Sequence, residues 1–386
     1  MQKITIPYGK QFIDRHDEDE VKKSLKAKLI TTGSYVLNFE NEIKKKFKSK
    51  YALTCSNATA GLHLAYHSIG LKKGDVIVMP SVNFISSYRM AALIGARIYL
   101  TDVDPITGQV TPKTLLECIK KNKLTKIKAI IVMYLGGYVE NNLAFYKIKK
   151  KYKCSLIEDA CHAFGGKYSV NNKNYNVGSC KHSDLCIFSF HPIKTITTGE
   201  GGLVTTNNKK YADKIKLLRS HGIQKGKKYW EYNIAELGYN YRLSDINCAL
   251  GMSQLKKLNS FYIKRKKIVE FYKKKFKEIT SVLNFSSGLN KYNCYHFFLI
   301  SINFEKLKCS KDQLIKYLNQ KGIYPQFHYI PIFKFKFFKN ENVKIYDGAI
   351  RYYKNALSLP VYYELTQKQQ LYIIKNIKKF LSKSEI

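Results

Sequence analysis

One lysine is set apart from the many others in this chain. Lys194 lies in the segment FSFHPIKTITTGEGGLVTTN, residues 188–207, which contains no other lysine or arginine. An amine that lies between two apolar, strand-like runs, where no neighbour carries a positive charge, can have the lowered pKa that keeps it nucleophilic. The segment therefore predicts that Lys194 is a covalent anchor, with a solvated surface lysine as the structural alternative.

Other residues with binding chemistry follow further apolar runs. Asn57, Ala58 and Thr59 follow YALTC, Phe84 follows DVIVMP, Asp159 and His162 follow SLI, and Ser189 follows CIF. Ligands of open α/β sheets lie at the carboxyl ends of strands, so we expect these residues to converge on one cleft. With Lys194 they would supply a helix N-terminus with hydroxyls for an anion, an aromatic plate, a carboxylate and an amine.

This set matches what pyridoxal 5′-phosphate requires. The aldehyde of that cofactor reacts with an amine, and a carboxylate against its pyridine nitrogen keeps the ring protonated and electron-withdrawing. Its phosphate binds N–H groups and hydroxyls at a helix N-terminus, and its ring stacks on an aromatic face. The sequence predicts that these groups are provided by Lys194, Asp159, Thr59, Ser189 and Phe84.

Taken singly, each of these residues also has a plain structural interpretation. Asn57 and Thr59 could cap a helix. Phe84 could pack in the core, and Asp159 could be a capping residue or half of a salt bridge. Only the combination favours a cofactor site.

The elements that must position these residues alternate along the chain up to about residue 250. YALTC, DVIVMP, RIYLTDVD, KAIIVMYLG and SLIEDA are typical of buried strands, and amphipathic helical segments separate them. The alternation predicts an α/β fold with a large, mostly parallel sheet covered on both faces. A long helical segment, the run YHFFLISINF and further helices then predict a smaller α+β domain. We expect a cofactor-binding domain at 1–250 and a small C-terminal domain at 251–386.

The chain is strongly basic, with a formal net charge of +39 over 386 residues. The lysines are spread over the whole length, and groups such as KKK at 44–46, 149–151 and 273–275 fit solvated helix faces. Because no nucleic-acid-binding motif accompanies the charge, we expect no nucleic acid partner. The positive field would still attract an anionic substrate.

Cysteine usage and hydropathy bear on the compartment. Nine cysteines are scattered without a C-x-x-C pair, which favours free thiols in a reducing cytoplasm. No segment approaches the roughly 18 consecutive apolar residues of a membrane span. The sequence therefore predicts a cytoplasmic protein with no membrane insertion, and no motif indicates a metal site.

Nearly from end to end, the chain resembles the DegT/StrS family of sugar-nucleotide aminotransferases, which have fold type I and use pyridoxal phosphate. The resemblance is carried by IPYGKQFID, LITTGSYVLNFE, SNATAGLHLA, IEDACHAFGG, FSFHPIKTITTGEGGLVTTN, LRSHG, LGYNYRLSDINCALGMSQL and GIYPQFHYIPI. The most specific block has the form SF-x-x-x-K followed by GEGG, and its lysine is Lys194.

The resemblance implies a role for each matching residue. Lys194 would hold the cofactor and move a proton, and Asp159 would pair with the pyridine nitrogen. The other cofactor contacts would be Asn57, Ala58, Thr59 and Ser189 at the phosphate, Phe84 on the ring, His162 beside the ring hydroxyl, and Asn240 from the neighbouring subunit. This last contact implies a homodimer with composite active sites.

The resemblance also implies a nucleotide-sugar substrate and glutamate as amino donor. Substrate contacts would come from Tyr8, Lys28, Leu29, Ile30, Thr31, Arg242, Gln326, Phe327, His328 and Tyr329. IPYGKQ, LRSHGI and FSFHPIKTITT are most similar to members that aminate C4 of a UDP-linked 4-keto-6-deoxy-N-acetylhexosamine, a pseudaminic acid precursor. Lysine at position 194 favours transamination over the dehydration of relatives that carry histidine there.

Three alternatives stay open at this point. The substrate could be another nucleotide-linked keto sugar, of the GDP-perosamine or bacillosamine type. The chain could also be a basic nucleic-acid-binding protein on an inherited fold, or a regulator that binds pyridoxal phosphate without turning over substrate.

Overall fold

A computed structural model describes residues 5–280, 282–285, 292–338 and 346–383 of the chain. Within these residues the centre of the fold is a seven-stranded sheet of order β2-β10-β9-β6-β5-β3-β4. Its strands are β2 (Tyr51–Cys55), β3 (Val76–Pro80), β4 (Arg97–Thr101), β5 (Ala129–Met133), β6 (Ser155–Asp159), β9 (Leu185–Ser189) and β10 (Gly202–Thr206). Only β10 runs antiparallel to its neighbours in this sheet, β9 and β2, which confirms the predicted α/β class.

The sheet is buried on both faces because its strands are apolar on both. Along β5, Ile130 and Val132 belong to one core cluster, and Ile131 and Met133 belong to the cluster on the other face. Successive side chains of a strand point to opposite faces, so two cores need a continuous apolar run. Helices cover both faces, as the sequence predicts.

The helices follow the chain in the expected alternation. They are α1 (Arg15–Ser24), α2 (Ser34–Phe47), α3 (Ala58–Ser68), α4 (Ser86–Ile94), α5 (Pro112–Lys121), α6 (Asn142–Tyr152), α7 (Lys209–Leu218), α8 (Asp245–Phe276), α9 (Lys311–Gln320), α10 (Asp347–Asn355) and α11 (Gln367–Lys383). None of them is long and apolar enough to cross a membrane. All nine cysteines are free thiols.

A second, smaller core lies in the C-terminal part. It is built on β13 (Leu283–Phe285), β14 (Phe298–Ile302) and β16 (Ala356–Leu359), with a two-stranded pair of β1 (Ile6–Pro7) and β15 (Ile323–Tyr324). Helix α8 runs without interruption across residue 250 and contributes side chains to this core and to one core of the large sheet. The division at residue 250 falls inside α8, and the proposed domain limits stay a prediction.

Two hairpins contain the remaining strands of the described residues. One is formed by β7 (Lys167–Val170) and β8 (Lys173–Asn176), and the other by β11 (Ile223–Lys225) and β12 (Tyr232–Ile234). Every residue of β11 and β12 is exposed, including Tyr232 at 67%.

One edge of the central sheet gathers the segments singled out in the sequence. Gly202, the first residue of β10, pairs with Cys55 at the end of β2 and with Ser189 at the end of β9. Asp159, the last residue of β6, lies opposite Ile187 of β9. The predicted convergence of these strand ends is therefore present in the fold.

Candidate active site

Lys194 lies on the loop that joins β9 to β10. The loop closes on itself, because the N–H of Thr198 donates to the carbonyl of Phe190 at 3.0 Å. The hydroxyl of Thr197 donates to the same carbonyl at 2.9 Å. Thr197 and Thr198 are buried, so their hydrogen bonds keep a polar loop stable against the sheet. This closed loop fixes the backbone that carries Lys194.

The amino end of α3 lies at the same edge. Asn57 caps the helix by accepting a hydrogen bond from the N–H of Ala60 at 2.8 Å. The N–H groups of Ala58 and Thr59 belong to the first turn, where a helix offers them no acceptor. A Cβ at Gly202 would lie 2.4 Å from the carbonyl of Asn57, so only glycine permits this approach. The arrangement is a helix N-terminus of the kind that suits an anion, beside Ser189, which is paired with Gly202.

Asp159 is buried at the end of β6, with 2% of its surface exposed. Its carboxylate accepts from the hydroxyl of Ser87 at 3.1 Å and from the N–H of Cys161 at 3.3 Å. The side-chain amide of Asn83 donates to Ser87 at 3.1 Å, so the carboxylate is linked to the loop that carries Phe84. Phe84 itself is 51% exposed, which leaves its ring accessible for stacking.

A directed hydrogen-bond chain runs through His162 to Tyr329. The N–H of Gly136 donates to Nδ1 of His162 at 3.3 Å, so this nitrogen carries no proton. A neutral His162 ring then has its proton on Nε2, which lies 2.9 Å from the hydroxyl oxygen of Tyr329. The hydroxyl oxygen of Tyr329 accepts a hydrogen bond from this Nε2–H group, so the O–H of Tyr329 is still available as a donor. The ring of Phe84 meets that of Tyr329 edge-on, with centroids 5.7 Å apart.

Two further histidines lie near His162. His296 stacks on its ring at 4.2 Å between centroids, and the ring of His328 lies 5.8 Å away. Burial lowers the pKa of His328 to about 3 and the pKa of His162 and His296 well below the ordinary value, and the charge of Lys194 acts in the same direction. The three imidazoles are therefore neutral at physiological pH.

Lys194 shares the electrostatic environment of these groups. Burial lowers the pKa of its amine, and the neighbouring Cys161 and Asp159 act in the opposite direction. A lowered lysine pKa enlarges the neutral, nucleophilic fraction of the amine near pH 7. The site therefore combines an amine of lowered pKa, a buried carboxylate and the N-terminus of a helix.

The comparison with known proteins identifies the family. The model of the DegT/DnrJ/EryC1/StrS aminotransferase family matches residues 11–378. The chain belongs to this family. It is 38% identical over 379 residues to the UDP-4-amino-4,6-dideoxy-N-acetyl-beta-L-altrosamine transaminase of Campylobacter jejuni subsp. jejuni serotype O:23/36 (strain 81-176), with 98% of both chains covered. It is 37% identical over 380 residues to the transaminase of the same name from serotype O:2 (strain ATCC 700819 / NCTC 11168), again with 98% of both chains covered.

A solved structure is similar over the whole fold. Helicobacter pylori PseC, described as an aminotransferase involved in the biosynthesis of pseudoaminic acid, superposes with a TM-score of 0.88 at 27% sequence identity. The alignment covers 98% of the present aminotransferase and 100% of the Helicobacter chain. The similarity extends over both the central sheet and the smaller C-terminal core.

Three of the predicted substrate residues lie at the site of this aminotransferase. The rings of Tyr8 and His328 are 5.4 Å apart, and Tyr329 bonds His162. The ring nitrogen Nδ1 of His328 is 2.9 Å from the hydroxyl of Ser358, which fixes its orientation. The roles of these residues toward a substrate stay predictions.

Gln326 and Phe327 have partners in the small C-terminal part instead. The backbone of Gln326 pairs with Ser358 of β16, and its side-chain oxygen accepts from the N–H of Phe327 at 3.0 Å. The ring of Phe327 packs against Tyr353 at 5.3 Å, and the amine of Lys311 lies 4.6 Å from its centroid. These contacts position the segment that carries His328.

The remaining predicted residues form a second, exposed group. Lys28, Leu29, Ile30 and Thr31 are exposed, and the segment is held by a bridge from Thr31 to Ser244. Asn240 is exposed and bridges Ser220, whose hydroxyl accepts from Arg242 at 3.1 Å. The segment 28–31 and the segment that contains Asn240 and Arg242 therefore lie side by side at the surface.

Sequence reasoning missed three residues that shape the site. Ser87 binds the carboxylate of Asp159, Gly202 admits the helix end, and His296 stacks on His162. Gly202 had a signal, because GEGG is followed by a strand and a strand glycine often marks a close backbone approach. Ser87 and His296 had none, since each lies in an ordinary helical or strand-like run.

Proposed function

We propose that this aminotransferase transfers an amino group from glutamate to C4 of a UDP-linked 4-keto-6-deoxy-N-acetylhexosamine, with pyridoxal 5′-phosphate as cofactor. The substrate is suggested by the names of the two Campylobacter transaminases and of the Helicobacter enzyme. The observation that carries the proposal is that the closed β9–β10 loop, which bears Lys194, and the carboxyl end of β6, which bears Asp159, lie at one edge of the sheet.

The described residues fit the cofactor. The first turn of α3, with the close approach at Gly202, suits a phosphate. The carboxylate of Asp159 accepts two hydrogen bonds from the protein and has lone pairs left for a protonated ring nitrogen. His296 is 4% exposed, and within the described residues neither of its ring nitrogens has a hydrogen-bond partner. A ligand in the site could satisfy this unpaired group.

The chemistry divides between the cofactor and the protein. When bound, the cofactor supplies the electron-withdrawing ring that stabilises negative charge next to the transferred nitrogen. Ser87 and Asn83 fix the carboxylate of Asp159, which would hold the positive charge of the ring nitrogen. Lys194 would bind the cofactor's aldehyde carbon, and its amine would carry the proton that C4 of the sugar gains or loses. Tyr329, whose hydroxyl oxygen accepts from Nε2 of His162, would donate its own O–H to an oxygen beside the ring.

We further propose that the enzyme works as a homodimer. Asn240, exposed in the single chain, would reach the phosphate in the neighbouring subunit, and Arg242 and residues 28–31 would meet the nucleotide sugar there. The exposed apolar residues of the β11–β12 hairpin and of this surface support burial by a second copy, among them Tyr232, Leu237 and Leu29.

A substrate panel tests the proposal. The purified protein is incubated with glutamate and with UDP-, GDP- and dTDP-linked 4-keto sugars, and the products are identified by mass and NMR. We expect a 4-amino product from the UDP-linked N-acetylhexosamine. Preference for a GDP-linked substrate would instead support a perosamine-type reaction, and a cofactor band without any turnover would support a regulator.

A further inference from the structure

A chain of two histidines and two tyrosines joins α3 to residues 239–242. Nδ1 of His63 lies 3.2 Å from the hydroxyl of Tyr241, and Nε2 of His63 lies 3.1 Å from Nε2 of His67. The hydroxyl of Tyr239 lies 3.3 Å from the same nitrogen of His67. We call these four residues the histidine clasp.

The clasp is continuous with both halves of the candidate site. The carbonyl of Tyr241 accepts from the N–H of Ser56 at 2.9 Å, immediately before the Asn57 cap of α3. The rings of Tyr239 and Tyr241 are parallel at 4.8 Å and 11°. Asn240 lies between these two tyrosines, so the conformation that presents it outward depends on both of them.

The clasp can hold only a limited number of protons. Two Nε2 atoms 3.1 Å apart form a hydrogen bond when one carries a proton and the other does not. A proton on both turns the contact into a repulsion between two N–H groups. Burial lowers the pKa of His63 to about 4, with His67 adding to the effect. The surroundings therefore disfavour the charged forms at neutral pH.

The charges around the clasp come from two other elements. Lys214 of α7 and Glu236, which precedes Tyr239, form an ion pair. Burial lowers the pKa of His67, Lys214 lowers it further, and Glu236 opposes both effects. The remaining titratable neighbours are the hydroxyls of Tyr239 and Tyr241, and burial raises the pKa of Tyr241.

We propose that the histidine clasp positions Asn240 and Arg242, and that double protonation of His63 and His67 releases the segment that carries them. This inference rests on the proposed function, in which these two side chains act in the neighbouring subunit. His63 and His67 touch neither the cofactor nor the substrate, so they are positioning residues. Acidification would then weaken the cofactor and substrate sites of the partner through the clasp, in addition to its direct effect on the amine of Lys194.

The chain contains a natural reporter for this release. Trp230 is the only tryptophan of the sequence, and it lies between β11 and β12, on the hairpin that leads into Tyr239. Because the pKa of His63 is lowered to about 4, the emission of Trp230 is measured from pH 8 to pH 3.5 in the full chain, together with the dissociation constant of pyridoxal phosphate. His67→Gln keeps a hydrogen-bonding group that does not titrate, and His67→Leu removes the bond at every pH.

We expect the wild-type emission to shift on acidification and the dissociation constant to rise about three- to tenfold, the loss of one hydrogen bond. In His67→Gln the emission should stay flat and the rise in the dissociation constant should be smaller than in the wild type, and in His67→Leu the weaker binding should already be present at pH 8. The control is His182→Gln, since His182 bonds Tyr168 elsewhere and should leave the wild-type profile unchanged.

The outcomes separate this inference from the proposed function. Equal pH profiles in the wild type and His67→Gln overturn the clasp, whatever the activity. A shift in emission without a change in cofactor affinity overturns its positioning role. Failure to bind pyridoxal phosphate at pH 8 overturns the proposed function, while the emission profile still decides whether the clasp releases the segment.

Discussion

Gly202 lies so close to Asn57 that a side chain at position 202 would enter the backbone of its neighbour. A Cβ there would be 2.4 Å from both the carbonyl carbon and the carbonyl oxygen of Asn57 and 2.7 Å from the nitrogen of Ala58. Backbone atoms cannot move aside as a flexible side chain does. The start of α3 and the start of β10 are therefore fixed against each other.

Gly202→Ala should displace the amino end of α3. We expect a loss of about 1–3 kcal/mol in the free energy of unfolding, typical of overpacking, and weaker binding of pyridoxal phosphate. Urea denaturation and an absorbance titration measure the two effects. Gly9→Ala is the stability control, because its Cβ would only make ordinary contacts of 3.6–3.7 Å with Ile193. Unchanged cofactor affinity in Gly202→Ala would argue against a phosphate at this helix end.

Lys194→Met should abolish turnover and stabilise the fold. Loss of the proton-transferring amine should lower kcat by at least about 10²–10⁴-fold. Because burial depresses the pKa of Lys194, the unfolded chain binds more protons there, and the amine destabilises the fold at neutral pH. Replacing it should raise the free energy of unfolding at pH 7. Lys209→Met, an exposed lysine paired with Asp213, should change neither quantity. Equal cofactor absorbance bands in Lys194→Met and the wild type would contradict a covalent role.

The comparison of sequence and structure shows which information is local. Buried strands such as β5 are predictable because a continuous apolar run has few other uses, and Asn57 is predictable because asparagine before a helical run is a common cap. The antiparallel direction of β10 is not encoded in its periodicity. His296 reads as part of a strand-like run, and only the packing of the small core onto the sheet brings it to His162. The position of residue 250 inside α8 has a similar cause, since one helix serves two cores.

His296→Leu should raise the stability of the fold and lower the activity of the enzyme. The two unpartnered nitrogens cost free energy in the folded protein, so an apolar side chain of similar size should raise the free energy of unfolding by about 1 kcal/mol. Since burial depresses the pKa of His296, the wild type also loses stability as the pH falls below the ordinary histidine value. His296→Leu should lose less stability than the wild type over the same fall in pH. If a ligand satisfies His296, kcat/KM falls in the same variant, and thermal melts at pH 8 and pH 6 with steady-state kinetics measure both effects.

If His296→Leu were less stable than the wild type at both pH values, this would show that the imidazole of His296 has hydrogen-bond partners in solution. His328 is a useful contrast, because its Nδ1 already lies 2.9 Å from Ser358. His328→Leu leaves that hydroxyl without its partner and should be less stable than His296→Leu.

Glu158→Gln should make the stability of the fold less dependent on pH. Glu158 is 2% exposed, points to the opposite face of β6 from Asp159, and accepts from the hydroxyl of Tyr134 at 2.6 Å. Burial raises the pKa of this carboxyl, although the hydrogen bonds from Tyr134 and Asn142 oppose the shift. At pH values between the ordinary glutamate pKa and the raised one, Glu158 is therefore protonated in the folded chain and ionised in the unfolded chain. The free energy of unfolding of the wild type therefore decreases as the pH rises from the ordinary pKa of glutamate through the raised pKa of Glu158.

Glutamine resembles the protonated acid and can still accept from Tyr134. The free energy of unfolding of Glu158→Gln should thus match the wild type near pH 4.5 and exceed it near pH 8, as measured by urea denaturation at both pH values. Activity should change little, because Glu158 lies on the face away from Asp159. A variant less stable than the wild type at pH 8 would mean that Glu158 is ionised in the fold and that its hydrogen bonds outweigh the cost of burial.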